Sequence, residues 1–218
     1  MNEREQIIEI ARREIRLQNL GITQQVLEVH RIVEAEAGPK VAGVLEGKDP
    51  AWAHVYFAIE DELYFFKIDV QTSPVPRVLS ADVEARANVY FSAPSQVLDP
   101  DEISELIGLE PTRSWRKGTP LYNSGRLRPI SVWIYEPQHA MPGRVERKLP
   151  FLLDRLEPRH DGIVAAAREC TCSICIAYHG HSAAMGGWEL DSATIRRLVR
   201  LDLPLGVDLY ACGSELPE

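Results

Sequence analysis

The sequence predicts an α+β protein of two modules: an N-terminal helix with an antiparallel meander, and a C-terminal ferredoxin-like sandwich. Three observations predict this class. Residues 1–82 contain a helical apolar period followed by strand-like alternation, whereas residues 88–218 alternate helical and extended segments. Between the two, over residues 80–87, the apolar pattern lapses. We therefore place a linker there and expect two modules on either side of it.

The first module is expected to begin with an amphipathic helix over residues 4–20, which Gly21 ends. Residues 26–33 are then read as an extended segment. Residues 53–59 and 63–70 are rich in aromatic and β-branched side chains, and only three residues separate them. This pattern predicts a β-hairpin.

The second strand of this hairpin alternates apolar and charged residues. Tyr64, Phe66 and Ile68 share one face, while Lys67 and Asp69 lie on the other. Such a sheet is covered on one side only, and the N-terminal helix is expected to cover it. A short strand is expected at residues 77–79, and the prolines just before it confine it to a sheet edge. In pattern, the module is similar to small bacterial cystatin-like or PepSY-like modules.

The second module is expected to pack its helices on one face of a largely antiparallel sheet. Its predicted strands are residues 89–92, 112–117, 130–135, 171–178 and 207–212. Its predicted helices are residues 99–107, 145–156, 161–169 and 191–201.

The helix at residues 99–107 has signals at both of its ends. Asp99 can cap the N-terminus, Pro100 suits the first helical position, and Glu102 completes a capping box. Gly108 suits the left-handed position after the last turn. These residues predict a helix that is stable through local interactions.

This helix and the strand after it, LDPDEISELIGLEPTRSWRKGT from Leu98 to Thr119, resemble a bacterial family of domains of unknown function (domain of unknown function 4279). Its members share a helix of the type LdpeeIt-LGi-Pt-sw followed by a Lys-Gly turn. The resemblance covers roughly residues 88–212 and implies no activity. The family usually has an acidic residue after the turn, whereas here Gly118 precedes Thr119.

An internal similarity suggests a duplication within the second module. When Leu98-Asp99 is aligned with Leu190-Asp191, the apolar positions of the two helices coincide. If this reflects duplication, the module contains two related strand-helix-strand halves. The alternative is that any capped amphipathic helix gives the same pattern.

Composition excludes several classes of protein. The 218 residues carry a formal net charge of −8, so long-range repulsion disfavours general nucleic-acid binding or binding to an anionic membrane. The N-terminus alternates charges and has no signal-peptide pattern. With four cysteines and no export signal, the expected location is the cytoplasm.

The strongest candidate for a binding site lies within residues 111–129. This segment contains five cations and no acidic residue. In an extended strand, Arg113, Trp115 and Lys117 project from one face, and the following strand is expected to bring Trp133 close to them. Together with Arg116, these residues suit an acidic partner or an anionic ligand, because arginine binds carboxylates and tryptophan stacks on cations.

A structural role for these residues is the alternative. Trp115 and Trp133 would then belong to the core, and the cations would pair with Asp101, Glu102 and Glu105 of the preceding helix.

Other chemistry finds less support. Cys170, Cys172 and Cys175 lie near His179 and His181, but on a regular strand the third cysteine points away from the first two. We therefore interpret the four cysteines as small core residues and predict no metal site. No nucleophile elbow, zinc-protease or dinucleotide motif occurs. The sequence therefore predicts no cofactor and nominates no catalytic residue.

Two functional hypotheses remain. The first is a non-enzymatic protein-binding module, similar to an immunity or antitoxin protein, whose partner is an acidic or toxin-like protein. The second is a small-anion sensor or enzyme, built around Arg113, Trp115 and Lys117 in a groove between the modules. A flat exposed patch would favour the first and a concave pocket the second. The sequence leaves the oligomeric state open.

Overall fold

A computed structural model describes residues 2–47, 49, 51–122 and 125–217 of the chain. It has the predicted α+β class, with two large sheets, one four-stranded and antiparallel and one five-stranded and mixed, and a small two-stranded ribbon. Each of the two large sheets has its own apolar core. The division of the chain into two domains remains a prediction.

Helices and strands follow one another along the chain with the following bounds. The helices are α1 (Glu3–Leu17), α2 (Gly21–Val29), α3 (Pro100–Ile107), α4 (Val145–Leu156), α5 (His160–Ala166) and α6 (Ser192–Leu201). The strands are β1 (Glu34–Ala35), β2 (Gly38–Pro39), β3 (Val41–Glu46), β4 (Trp52–Ala58), β5 (Phe65–Gln71), β6 (Arg77–Glu84), β7 (Arg86–Ser92), β8 (Arg113–Trp115), β9 (Val132–Tyr135), β10 (Ser173–His181) and β11 (Leu205–Cys212).

The first sheet has the order β3-β4-β5-β6 and carries α1 on one face. The predicted hairpin is confirmed, because β4 and β5 pair antiparallel over their whole length. Ile7, Ala11 and Ile15 of α1 pack into the same core as Phe66 and Ile68 of β5. The helix therefore covers the apolar face of the sheet, as the alternation along β5 predicts.

The predicted end of the first helix is wrong. Gln18 takes the left-handed conformation that ends α1, and Gly21 begins a second helix, α2. Val26, which we expected in a strand, is fully buried in α2. Its β-branched side chain suggested extended structure, but the helical spacing from Ile22 to Val26 takes precedence.

The predicted linker at residues 80–87 is also wrong, because this segment belongs to β6 and β7. Only Ala85 separates the two strands, so the chain passes almost directly from one sheet into the other. Ala81, Val83, Ala85 and Ala87 are all buried. They alternate with polar residues at the period of a strand, but their small side chains give a weak apolar signal.

The second sheet has the order β11-β10-β7-β9-β8. Strands β7 to β10, with α3 after β7 and α4 after β9, form the predicted ferredoxin-like arrangement, and all three pairs among these strands are antiparallel. Helix α6 then leads to β11, which pairs parallel to β10. The helices contribute Ile103, Leu149, Ile163 and Leu198 to one core with Phe91 of β7. They therefore cover the face of the sheet to which Phe91 points.

The topology does not match the suggested duplication. Helix α3 joins β7 to β8, and β9 lies between these two strands, whereas α6 joins the neighbouring strands β10 and β11. The two similar helices therefore occupy different places in the fold. Their similarity reflects the common requirements of capped amphipathic helices.

The local signals of α3 are confirmed. The Asp99 side chain accepts hydrogen bonds from the backbone N–H groups of Asp101 and Glu102, and the Glu102 carboxylate accepts one from the Asp99 N–H at 2.8 Å. Gly108 has a φ of 72°, which ends the helix in the left-handed region. The bond from the Glu102 N–H, together with others to the charged form, lowers the pKa of Asp99.

Replacing Asp99 by alanine should lower the thermal midpoint of unfolding by a few degrees, because the first turn of α3 loses its cap. Thermal unfolding followed by circular dichroism measures this change. Asp161, also in the first turn of a helix, caps nothing and provides the control. A midpoint equal to that of the Asp161→Ala variant would contradict the prediction.

The cysteines divide into two groups. Cys170 and Cys172 are buried, as predicted, but Cys175 and Cys212 are half-buried. Cys175 lies opposite Tyr90 in the register of β10 with β7, on the face of the sheet away from the helices. The interpretation of all four as core residues is therefore wrong for Cys175, whereas Cys212 is partly buried and packs against the core of the first sheet.

Candidate functional site

The cation-rich segment forms a hairpin at one edge of the second sheet. We call residues 113–122 and 125–135, which contain β8, β9 and the described part of their connection, the basic hairpin. Beyond β8 the two arms stay paired, with hydrogen bonds from the Gly118 N–H to the Arg128 carbonyl and from the Arg128 N–H to the Thr119 carbonyl, each 2.9 Å. Gly118 has a φ of 80°, a conformation that favours glycine.

Arg113 is held by a buried carboxylate. Its guanidinium donates to Glu136 at 2.8 Å, and the Glu136 side chain is 1% exposed. Asn88 and His139 also contact this carboxylate, at 2.6 and 2.8 Å. A buried carboxylate requires such partners. Arg113 therefore stabilises the fold and is only partly available for binding.

Arg116 and Lys117 differ in their partners. Arg116 pairs with Asp99 at 2.5 Å and also with Asp101, which accords with the structural alternative of cations paired to the helix. The Lys117 ammonium donates to the backbone carbonyl of Gln96 at 2.8 Å. Because a carbonyl carries no net charge, Lys117 keeps its positive charge at the surface.

Trp115 and Arg128 form a cation–π pair on the outer face of the sheet. The Arg128 guanidinium lies 5.1 Å from the ring centre of Trp115. Trp115 lies opposite Val132 in the register, so its side chain points away from the helices. Both residues are half-buried, and the Arg128 Nε has no hydrogen-bond acceptor among the described residues. This pair offers an aromatic surface and a cation at one place.

The structure separates Trp133 from the other candidates. Trp133 lies opposite Ser114, so it points to the face opposite that of Arg113 and Trp115. It is completely buried, and its indole N–H donates to the Ser104 hydroxyl at 3.0 Å. The expectation that Trp133 lies close to the basic face is therefore wrong, because the pairing register assigns it to the core.

Two apolar side chains complete the surface of the basic hairpin, and sequence reasoning missed both. Tyr122 is 90% exposed and Leu127 is 62% exposed. Val97, next to the Gln96 carbonyl that accepts the hydrogen bond from Lys117, is 71% exposed. The available signal was the presence of large apolar residues inside a turn rich in glycine and arginine. Exposed apolar groups beside cations are typical of protein-binding surfaces.

The groove between the two sheets is lined by other residues. One cavity of about 490 Å³ is bounded by Trp52, Tyr56 and Arg144 among others, and a second of about 300 Å³ by Glu84 and Trp188 among others. Neither Arg113, Trp115 nor Lys117 lines these cavities. These two cavities therefore do not support the hypothesis of a groove built around those three residues.

Within residues 2–47, 49, 51–122 and 125–217, no group of three or more histidine, cysteine, aspartate or glutamate side chains is placed to hold a metal ion. Over the same ranges, every helix is too short or too polar to cross a membrane.

Comparison with models of protein families identifies a family over part of the chain. A family model described as a domain of unknown function (DUF4279) matches residues 85–212. This range begins just before β7 and ends with β11, so it includes the basic hairpin. No curated protein and no solved structure matches the chain.

Proposed function

Because the chain belongs to the DUF4279 family, for which no activity is described, we propose its function from its surface: a non-enzymatic binding module whose basic hairpin takes an acidic protein partner. The observation that carries this proposal is the exposure of Tyr122 and Leu127 beside the Arg128–Trp115 pair. An immunity or antitoxin protein of a bacterial cytoplasm has this kind of task. All four cysteines are unpaired, which accords with a reducing compartment.

The chemistry of the hairpin favours a protein over a small anion. Lys117 and Arg128 supply positive charge, while Tyr122 and Leu127 supply apolar area that a small inorganic anion would leave uncovered. Tyrosine, tryptophan and arginine are the residues that contribute most to protein interfaces. The hairpin includes the edge strand β8 and presents exposed side chains there, which suits a partner surface.

Charge explains how such a partner would be selected. The chain as a whole carries −8, so an acidic partner is repelled by most of the surface and attracted by the hairpin. Electrostatic complementarity of this kind fixes orientation more than it adds affinity. Binding is therefore expected to weaken as the salt concentration rises.

The proposal is tested with a random copolymer of glutamate and tyrosine, which presents both carboxylates and aromatic rings. The double variant Lys117→Glu, Arg128→Glu should bind this probe about tenfold more weakly than the natural chain. Arg168, an exposed cation in the same half of the chain, provides the matched control. The Arg168→Glu variant should bind as the natural chain does, and fluorescence anisotropy measures all three.

A second variant separates the apolar contribution from the charge. Tyr122→Ala leaves every cation in place and, at 90% exposure, should not change the thermal midpoint. It should weaken binding of the copolymer and leave binding of polyglutamate unchanged. Equal loss in the Arg168→Glu control, or saturable binding of inorganic phosphate with no binding of either polymer, would contradict a protein-binding hairpin.

A further inference from the structure

Strand β11 forms the edge of the second sheet opposite the basic hairpin. It pairs with β10 from Leu205 to Cys212 without a shift in register. Residues 206–211 are all exposed, and Asp208 is the one charged residue of the strand. A long, regular edge of this kind is a template on which another strand can pair.

The three other edges of the four- and five-stranded sheets differ from β11. Strand β8 has three residues, follows Pro111 and precedes Arg116. The pairings of β3 and β6 with their neighbours each contain a register shift. Short length, proline, charge and bulges are the means by which proteins prevent edge pairing. Strand β11 has no lysine, arginine or proline, and so it lacks this protection.

The backbone of β11 shows which groups are available. The Pro204 and Cys212 carbonyls accept hydrogen bonds from the β10 side, from the N–H groups of Ile174 and Ser182. Because successive residues of a strand point their backbone groups to opposite edges, the even-numbered residues of β11 face β10. The N–H and C=O groups of Val207, Leu209 and Ala211 therefore point outward, and within the described residues they form no hydrogen bond outside the sheet.

The side chains of β11 specify what a pairing strand must offer. Val207 and Leu209 lie opposite Ile176 and Tyr178 of β10, on the face that the helices cover. They nevertheless remain 42% and 64% exposed. A pairing strand must therefore supply apolar residues on this face. On the other face, it must place a hydrogen-bond donor, and no carboxylate, beside Asp208.

Strand β11 itself meets these requirements, and we propose that two copies of the chain form a two-fold dimer through antiparallel pairing of β11. In the register centred on Leu209, this residue lies opposite the partner's Leu209, and Val207 lies opposite the partner's Ala211. These outward-pointing residues form the hydrogen-bonded pairs. Asp208 then lies opposite the partner's Tyr210, whose hydroxyl can donate to the carboxylate.

Charge and face exclude the neighbouring registers. A register centred on Asp208 would bring two carboxylates together in a narrow pair with Cα atoms about 4.5 Å apart, which destabilises a sheet. A register shifted by one residue, such as Asp208 opposite the partner's Leu209, would place the helix-covered face of one copy on the same side as the outer face of the other. The Leu209 register avoids both problems. It joins the five-stranded sheets of the two copies into one ten-stranded sheet, with a basic hairpin at each end.

Sedimentation velocity over a concentration series tests the dimer. The natural chain should change from its monomer mass of 24.5 kDa to twice that value as its concentration rises to about 100 μM, which is within the range of weak specific association. Leu209→Pro should remain monomeric with an unchanged circular dichroism spectrum, because the N–H that proline removes points outward. Val75→Lys, at a 67% exposed position outside β11, should dimerise as the natural chain does.

Cysteine substitution tests the register. Leu209→Cys should form a disulfide-linked dimer under mild oxidation, since a hydrogen-bonded pair with Cα atoms about 5.5 Å apart suits a disulfide. The natural chain, with its own four cysteines, gives the background under the same conditions. A monomer at every concentration, a Leu209→Pro variant that still dimerises, or cross-linking of Asp208→Cys in place of Leu209→Cys would each overturn the proposal.

Discussion

Replacing Trp133 by alanine is expected to lower the free energy of unfolding by about 3–5 kcal/mol, the cost of removing a fully buried aromatic side chain. The side chain is 0% exposed, and its ring packs edge-on against Phe91 with ring centres 5.9 Å apart. Urea unfolding followed by intrinsic fluorescence and circular dichroism measures the loss. The same substitution should leave binding at the basic hairpin unchanged while the variant stays folded.

Trp115 is the matched control, because it is the same residue type in the paired strand. It is half-buried and contacts Arg128 on the outer face. Trp115→Ala should cost about 1 kcal/mol of stability or less, and it should weaken binding of the glutamate–tyrosine copolymer. If the two variants lose equal stability, the assignment of Trp133 to the core and of Trp115 to the surface is wrong.

The second large effect concerns Lys148, a lysine in α4 that is 4% exposed. Its ammonium donates to the Ala87 and Met141 carbonyls at 2.7 and 2.5 Å. Burial lowers the pKa of Lys148 from 10.5 to about 8, although Glu136 opposes the shift. The folded state therefore binds the proton more weakly than the unfolded state does.

The sign of the pH dependence follows from this difference. Between pH 8 and 10.5 the unfolded chain holds the proton that the folded chain has released, so stability rises with pH in this window. Below pH 8 both states are protonated and the full cost of burying the charge applies. Relative to a Lys148→Met variant, the natural chain should gain about 3 kcal/mol between pH 7 and 10.5.

Urea unfolding of both chains at several pH values measures this gain. Taking the difference in stability between the two chains cancels the titration of other groups. The Ala87 and Met141 carbonyls lose their donor in the variant, but this changes its free energy of unfolding by the same amount at every pH. A control variant, Lys117→Met, removes a lysine whose ammonium is exposed and not buried. A difference between natural and Lys148→Met chains that is constant from pH 7 to 10.5 would show that the folded pKa of Lys148 is not lowered.

Sequence reasoning succeeded where the signal is local. The cap of α3 depends on residues within one turn, Asp99 to Glu102, and the structure confirms it. The hairpin β4–β5 depends on two adjacent segments with clear alternation, and its pairing is confirmed. The ferredoxin-like class of the second module was expected from two strand-helix-strand halves, and the structure forms such halves with α3 and α4, not with the two similar helices that suggested them.

It failed where the outcome depends on distant partners. The face on which Trp133 lies is fixed by its pairing with Ser114 across the hairpin, and a shift of one residue would reverse it. Ala81, Ala85 and Ala87 were assigned to a linker because their small side chains give a weak apolar signal. They are nevertheless buried, since another layer of the protein packs closely against them, and the sequence does not show that layer. The cations are visible in the sequence, but only the structure shows which of them already pair with carboxylates, as Arg113 and Arg116 do.

The position of β7 has a consequence for the order in which the protein folds during synthesis. Both neighbours of β7 come later in the chain, and its residue Tyr90 pairs with Cys175 far downstream. When β7 leaves the ribosome, the first sheet is already complete through β6, whereas both edges of β7 are still unpaired. Pairing between such distant segments is slow, and unpaired strands aggregate. The nascent chain therefore carries an open central strand, joined through Ala85 to a finished sheet, until β10 has emerged.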